Sequence, residues 1–194
     1  MIFINMKNIF YNSQNHLCFE DFDLTSILTT HQTPFYIYSS NEIQTNCKRV
    51  ISCAGSLDLM PCYALKANYN PAIIKIINEM NFGADVVSGG ELYFAFENGI
   101  PPEKIVFAGV GKSEEEISQA IKRGIHSINI ESKSELERVI RIAGDLQKKI
   151  VVAIRVNPDI DAKTHPYIST GIHTSKFGVT PQTAIDLYNF AKDT

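Results

Sequence analysis

The sequence predicts an α/β protein, part of a (β/α)8 TIM-like barrel preceded by short strands of another module. Three observations predict it. Apolar, β-branched runs open near Cys62, Gly83, Ile105, Ser127 and Val151, so successive starts lie 21, 22, 22 and 24 residues apart, the signature of a repeated supersecondary unit. Between the runs, apolar residues recur at helical spacing, as in Ile73, Ile74, Ile76, Ile77 and Met80, and again in Ile117, Ala120 and Ile121. Capping residues stand where each helix must begin. Strand, helix and strand at this short period imply parallel pairing with right-handed crossovers, which both a doubly wound sheet and a barrel satisfy. No G-x-G-x-x-G turn follows a strand, and small or polar residues sit near the C-terminal end of each run, which favours the barrel.

Taken in order, residues 1–38 hold short extended candidates at Ile9–Tyr11, His16–Phe19 and Phe35–Tyr38, with no helical stripe, and read as strands of another module. Residues 39–194 are assigned to the barrel, opening with a helix over Ser40–Ala54. Asn70-Pro71 and Thr180-Pro181 each place a capping residue before a proline suited to the first helical position. Ser39 with Glu42, Ser88 with Glu91, Ser113 with Glu116 and Ser132 with Glu135 have the S-x-x-E spacing of a capping box. Gly99 and Gly124 are placed to end helices.

With 44% hydrophobic and 20% charged residues over 194 positions, the chain has the composition of a folded globular protein. Its net charge of -3 and lack of a Lys/Arg cluster give no footprint for nucleic acid or an anionic membrane. Cys18, Cys47, Cys53 and Cys62 match neither C-x-x-C pairs nor a disulfide framework, and read as reduced thiols of a cytoplasmic protein. The first residues are too short and too polar for a signal peptide, and no apolar run approaches the ~20 residues that span a bilayer. The five histidines show no i, i+3 or i+4 pairing, so no metal site is expected.

Barrel chemistry belongs at the C-terminal ends of the strands. Lys66 ends the first run, and strand alternation puts Cys62, Ala64 and Lys66 on one face. A lysine in that position, desolvated and flanked by small residues, is suited to forming a Schiff base with an aldehyde cofactor. Arg155 repeats the pattern beyond Ala153, and either orients an anionic substrate or hydrogen-bonds a cofactor ring, or is half of a structural ion pair. Asp85 is a carboxylate inside a buried parallel strand and is expected to pair with Lys66 or Arg155, in a catalytic or a structural role.

Gly109-Val110-Gly111-Lys112-Ser113 suggests a phosphate loop, but Val106 stands where that motif requires glycine. The segment reads instead as a turn with Ser113 capping the next helix. Ser88-Gly89-Gly90-Glu91 could offer amides to an anion, although the capping box already accounts for it. The polar stretch 159–178 is long for a βα loop, and His165, Ser169, Thr170 and Lys176 within it are candidate ligand contacts.

Tyr63-Ala64-Leu65-Lys66-Ala67-Asn68, the run Gly83 to Leu92, Arg155-Val156-Asn157-Pro158, and His165 to Gly171 with Ser175-Lys176-Phe177-Gly178 together resemble the diaminopimelate decarboxylase family of pyridoxal-phosphate enzymes with an alanine-racemase-like barrel. The resemblance runs from about Thr33 to the last residue. It implies that Lys66 carries the pyridoxal phosphate as an internal aldimine and that Ala64, Asp85 and Arg155 line the cofactor. It also implies a second, β-rich domain to which the strands of residues 1–38 contribute, a head-to-tail homodimer, and removal of a carboxylate from meso-diaminopimelate to give L-lysine. Other basic amino acids or polyamine precursors are the alternative substrates, and a non-catalytic pyridoxal-phosphate binder is the alternative role. The family's ring-stacking histidine, phosphate-gripping glycine loop, pyridine-pairing glutamate and partner-subunit cysteine fall beyond Thr194. Five strands do not close an eight-stranded barrel, so the chain is expected to be either the front part of a longer protein or a truncated product, and inactive alone.

Overall fold

The computed structural model describes residues 8–158 and 177–192. The chain forms two compact units, Met1–Thr45 and Asn46–Thr194.

The first unit holds a three-stranded antiparallel sheet of β1 (Ile9–Tyr11), β2 (Leu17–Phe19) and β3 (Phe22–Asp23), in the order β1-β2-β3. Phe19 pairs with Phe22 across a tight turn in which Glu20 takes φ 54°. A 3-10 turn at Leu24–Thr29 follows, started by the Asp23 side chain accepting from the Thr25 amide. The extended segment expected at Phe35–Tyr38 pairs with no strand; β3, only two residues long, takes the third place in the sheet. Strand character at Phe35–Tyr38 needs a neighbour to hydrogen-bond, and none of the described residues supplies one. Helix α1 (Ser40–Ala54) starts where Ser39 Oγ accepts from the Glu42 amide at 2.9 Å.

The second unit repeats strand and helix: β4 (Cys62–Ala64), α2 (Pro71–Glu79), β5 (Gly83–Val86), α3 (Gly89–Glu97), β6 (Ile105–Phe107), α4 (Glu114–Arg123), β7 (Ser127–Ile130), α5 (Lys133–Asp145), β8 (Val151–Ile154) and α6 (Pro181–Lys192). All five strands begin at the residues where the apolar runs open. They pair in parallel in the order β4-β5-β6-β7-β8, each beside its successor, as in part of a (β/α)8 barrel.

The expected serine caps form, but the reciprocal glutamate bond varies, and at α1 only the Ser39 half is made among the described residues. Ser113 and Glu116 make a full reciprocal capping box on α4. At α3 and α5 the serine half is present, but the glutamate reaches one residue further back: Glu91 accepts from the Val87 amide and Glu135 from the Glu131 amide. Those two glutamates brace the end of the preceding strand as well as the helix. Asn70 caps α2 by accepting from the Ala72 amide, and Gly124 ends α4 with φ 70°.

Alternation divides the sheet cleanly. Leu65, Ala84, Val86, Ile105, Phe107, Ile128 and Ile130 form one core with Ile74, Leu92, Ile117, Ile121, Leu136 and Val139 of the helices. Each large aliphatic or aromatic side chain among them contributes about 1.5–3 kcal/mol through burial. The opposite face carries Ala64 opposite Asp85, Asp85 opposite Val106, and Asn129 opposite Ala153. This leaves the polar residues of the strands on the face away from the helices. Gly83 has to be glycine at the start of β5, because a Cβ there would meet the Lys104 carbonyl oxygen at 2.2 Å.

Candidate active site

A cavity of about 710 Å3 opens at the C-terminal ends of the parallel strands, lined among others by Lys66, Asp85, Asn129, Glu131, Arg155 and Phe177. Register accounts for this assembly. Asn129 and Glu131 extend the polar face of β7, and Ala153 and Arg155 extend that of β8 beside them.

The structure brings Lys66, Asp85 and Arg155 together around this cavity. Ala64 is half-buried opposite Asp85 in the register and lies one step below the cavity wall. His165, Ser169, Thr170 and Lys176 lie outside the described residues.

Lys66 differs from the expected desolvated strand residue. Strand β4 stops at Ala64, and Leu65–Ala67 forms a 3-10 turn in which Leu65 is fully buried while Lys66 is exposed. The turn is held by Asn68, whose carbonyl accepts from Tyr63 Oη at 3.2 Å and whose Oδ1 accepts from the Asn70 amide at 3.0 Å. The turn therefore leaves Lys66 exposed on the lining of the cavity. The amine makes no hydrogen bond or ion pair among the described residues.

Asp85 also departs from expectation, since it forms no ion pair with either cation among the described residues. Its Oδ1 is buried without a hydrogen-bond partner. Burial pushes the carboxyl above its ordinary value, and the positive charges of Lys66 and Arg155 pull it back only in part. A raised carboxyl pKa means that the folded state binds the proton more tightly than the unfolded chain. Stability from this group is thus full below the ordinary value of 3.8 and is lost as pH rises through the raised value. In the cofactor-free protein, melting temperature is expected to fall relative to Asp85→Asn as pH climbs from about 4 towards 7. Parallel melting curves for the two proteins across that range would contradict the assignment.

Arg155 is held by partners the sequence did not single out. Its Nη1 donates to Glu131 Oε1 at 3.0 Å, and its guanidinium carbon lies 4.8 Å from the Phe177 ring centroid. Glu131 is buried, and its Oε2 accepts from the Gly178 amide at 3.0 Å. Beneath it lies a buried ion pair. Lys112 Nζ donates to Glu135 Oε1 at 2.9 Å, to the Gly109 carbonyl at 2.6 Å and to the Asn129 carbonyl at 2.7 Å, which uses all three of its protons. The Gly109 to Ser113 segment is the expected glycine turn, with Gly109 at φ 100°.

The Gly89 amide in the Ser88-Gly89-Gly90 turn is not left open for an anion. Gly89 N–H donates to Glu116 Oε1 at 2.5 Å, while Glu116 Oε2 accepts from Ser113 N–H at 2.8 Å. Burial pushes the Glu116 carboxyl up, but these hydrogen bonds outweigh it and hold the group below its ordinary value. One carboxylate thereby ties the loops after β5 and β6 together.

A family model described as pyridoxal-dependent decarboxylase, pyridoxal binding domain, matches residues 40–193. The chain belongs to this family. A diaminopimelate decarboxylase of Aquifex aeolicus is 49% identical over 175 residues, which cover 90% of this chain and 41% of that protein. Two solved diaminopimelate decarboxylases complexed with L-lysine have the same fold. The Helicobacter pylori enzyme superposes with a TM-score of 0.85 at 44% identity, covering 88% of this chain and 43% of its own. The M. jannaschii enzyme superposes with a TM-score of 0.86 at 34% identity, covering 96% and 44%. The chain spans about two fifths of the length of the curated relatives it matches.

The residues at the cavity fit the group from which the family takes its name. A primary amine free of hydrogen bonds among the described residues is the nucleophile an aldehyde requires. The orphaned Asp85 oxygen and the Arg155 guanidinium offer a buried acceptor and a fixed donor to a polar heterocycle.

Proposed function

We propose that this chain forms the pyridoxal-phosphate-binding part of a diaminopimelate decarboxylase, a carboxy-lyase yielding L-lysine and carbon dioxide. The observation that carries the reading is the convergence of the exposed Lys66 amine, the unpartnered Asp85 oxygen and Arg155 on one cavity at the strand ends. The decarboxylases of like sequence, two of them solved with L-lysine, support the choice of substrate.

When bound, pyridoxal phosphate supplies an electron sink for the pair left behind by departing carbon dioxide. Lys66 offers Nζ to the aldehyde carbon and afterwards carries a proton at the same atom. Arg155, stiffened by Glu131 and Phe177, donates hydrogen bonds in a fixed direction and orients an anionic group. Asp85 presents its free oxygen from the strand below, and Ala64 leaves the space beside it open.

In this reading residues 1–38 contribute to a β-rich domain and residues 39–194 to the barrel. The enzyme works as a homodimer, and its place is the cytoplasm, a reducing compartment in keeping with the four free cysteines. No helix among the described residues is long and apolar enough to cross a membrane.

The full-length protein carrying this chain, supplied with pyridoxal phosphate, is expected to release carbon dioxide from meso-diaminopimelate in preference to lysine, ornithine or arginine. Preference for any of the last three overturns the substrate. Cofactor absorbance with no release from any of them overturns the enzyme reading.

A further inference from the structure

We propose that Glu131 is a positioning residue that sets Arg155 for the occupant of the cavity, with the buried Lys112–Glu135 pair fixing Glu131 in turn. This rests on the reading of the cavity as a pyridoxal-phosphate site. Glu131 touches Arg155 but is not required to touch the cofactor, and it is therefore assigned no catalytic role.

The geometry is a relay with both ends defined. Lys112, 3% exposed, donates to one oxygen of Glu135, 2% exposed, whose other oxygen accepts from the Glu131 amide at 2.7 Å. Lys112 also holds the Asn129 carbonyl, two residues before Glu131 on the same strand. The backbone on both sides of Ile130 is thus gripped by one ion pair. From that anchored position the Glu131 side chain, 5% exposed, splits its two oxygens between Arg155 and the Gly178 amide.

Arg155 itself is 41% exposed, and an arginine at that exposure ordinarily samples several rotamers. A buried carboxylate on one side and the Phe177 ring on the other remove that freedom. Charge balance points the same way. Lys66 and Arg155 face Asp85 and Glu131 across the described cavity wall, and the Lys112–Glu135 pair behind the wall is neutral in sum. Glu131 offsets the guanidinium charge that would otherwise stand beside the Lys66 amine.

A double-mutant cycle separates positioning from general support of the fold. Full-length apoprotein is titrated with pyridoxal phosphate and followed by visible absorbance, with thermal melting of each apoprotein as control. Glu131→Gln and Arg155→Ala are each expected to weaken cofactor affinity by about tenfold, the scale of one charge-assisted hydrogen bond. In the Arg155→Ala background, Glu131→Gln is expected to add nothing. If Glu131→Gln does not fold, Glu131→Asp, which keeps the charge but shortens the reach, is read in the same cycle with the same expectation. Additive losses, an unchanged affinity in Glu131→Gln, or losses that follow the melting temperature overturn the proposal. A wild-type protein that binds no pyridoxal phosphate instead sinks the reading of the cavity, and this inference with it.

Discussion

Lys112→Met is expected to destabilise the protein by about 3–5 kcal/mol, the cost of leaving a buried carboxylate without its cation. The Lys112 side chain is 0% exposed and that of Glu135 2%, so water cannot take over the lost contacts. Methionine nearly matches the volume of lysine but strands three acceptors at once: Glu135 Oε1 and the carbonyls of Gly109 and Asn129. For a unit of this size the melting temperature should fall by about 10 °C. Adding Glu135→Gln to Lys112→Met removes the stranded charge while keeping an acceptor for the Glu131 amide, and should recover roughly half of the loss. Denaturant unfolding of the three proteins checks both numbers. A single variant within about 1 kcal/mol of wild type would show that the pair does not support the cavity wall.

The second large effect is chemical. Lys66→Ala in the full-length protein is expected to abolish the visible band formed with pyridoxal phosphate and to reduce decarboxylation by about three orders of magnitude or more, as losses of covalent groups do. Because Lys66 is exposed and makes no hydrogen bond among the described residues, its removal should shift stability by no more than about 0.5 kcal/mol. A lost absorbance in a protein that melts like wild type would locate the effect in the amine and not in the fold. Spectrum and rate unchanged by Lys66→Ala would place the chemistry elsewhere.

Most of the barrel layout was legible because local signals agreed with one another. Ser127 to Ile130 reads as a buried strand from its pattern, and Ser132 with Glu135 marks the helix after it, so neither depends on distant residues. Lys66 shows where such reading stops. Alternation places it on the face of Ala64, yet Leu65-Lys66-Ala67 folds as a 3-10 turn. The information lay in Asn68, whose carbonyl accepts from Tyr63 and whose side chain accepts from the Asn70 amide to close that turn.

Glu131 and Lys112 were missed for a different reason. Glu131 sits next to a serine cap and reads as the polar start of a helix; only the pairing of β7 with β8 brings it to Arg155. Lys112 sits between a glycine turn and Ser113, where a lysine is ordinarily solvated. Its burial depends on Glu135, 23 residues on, and Glu135 already had a local explanation as a capping residue. The Phe35–Tyr38 segment failed in the opposite direction, with β character present and no strand beside it among the described residues.

The central claim is that Lys66 is the residue that bonds the cofactor. Reduction of the full-length protein with borohydride in the presence of pyridoxal phosphate, followed by peptide mapping, measures this directly. The account predicts a single pyridoxyl label on the peptide containing Lys66, lost in Lys66→Ala. A label on another lysine, or no label on a protein that shows the cofactor band, would contradict it.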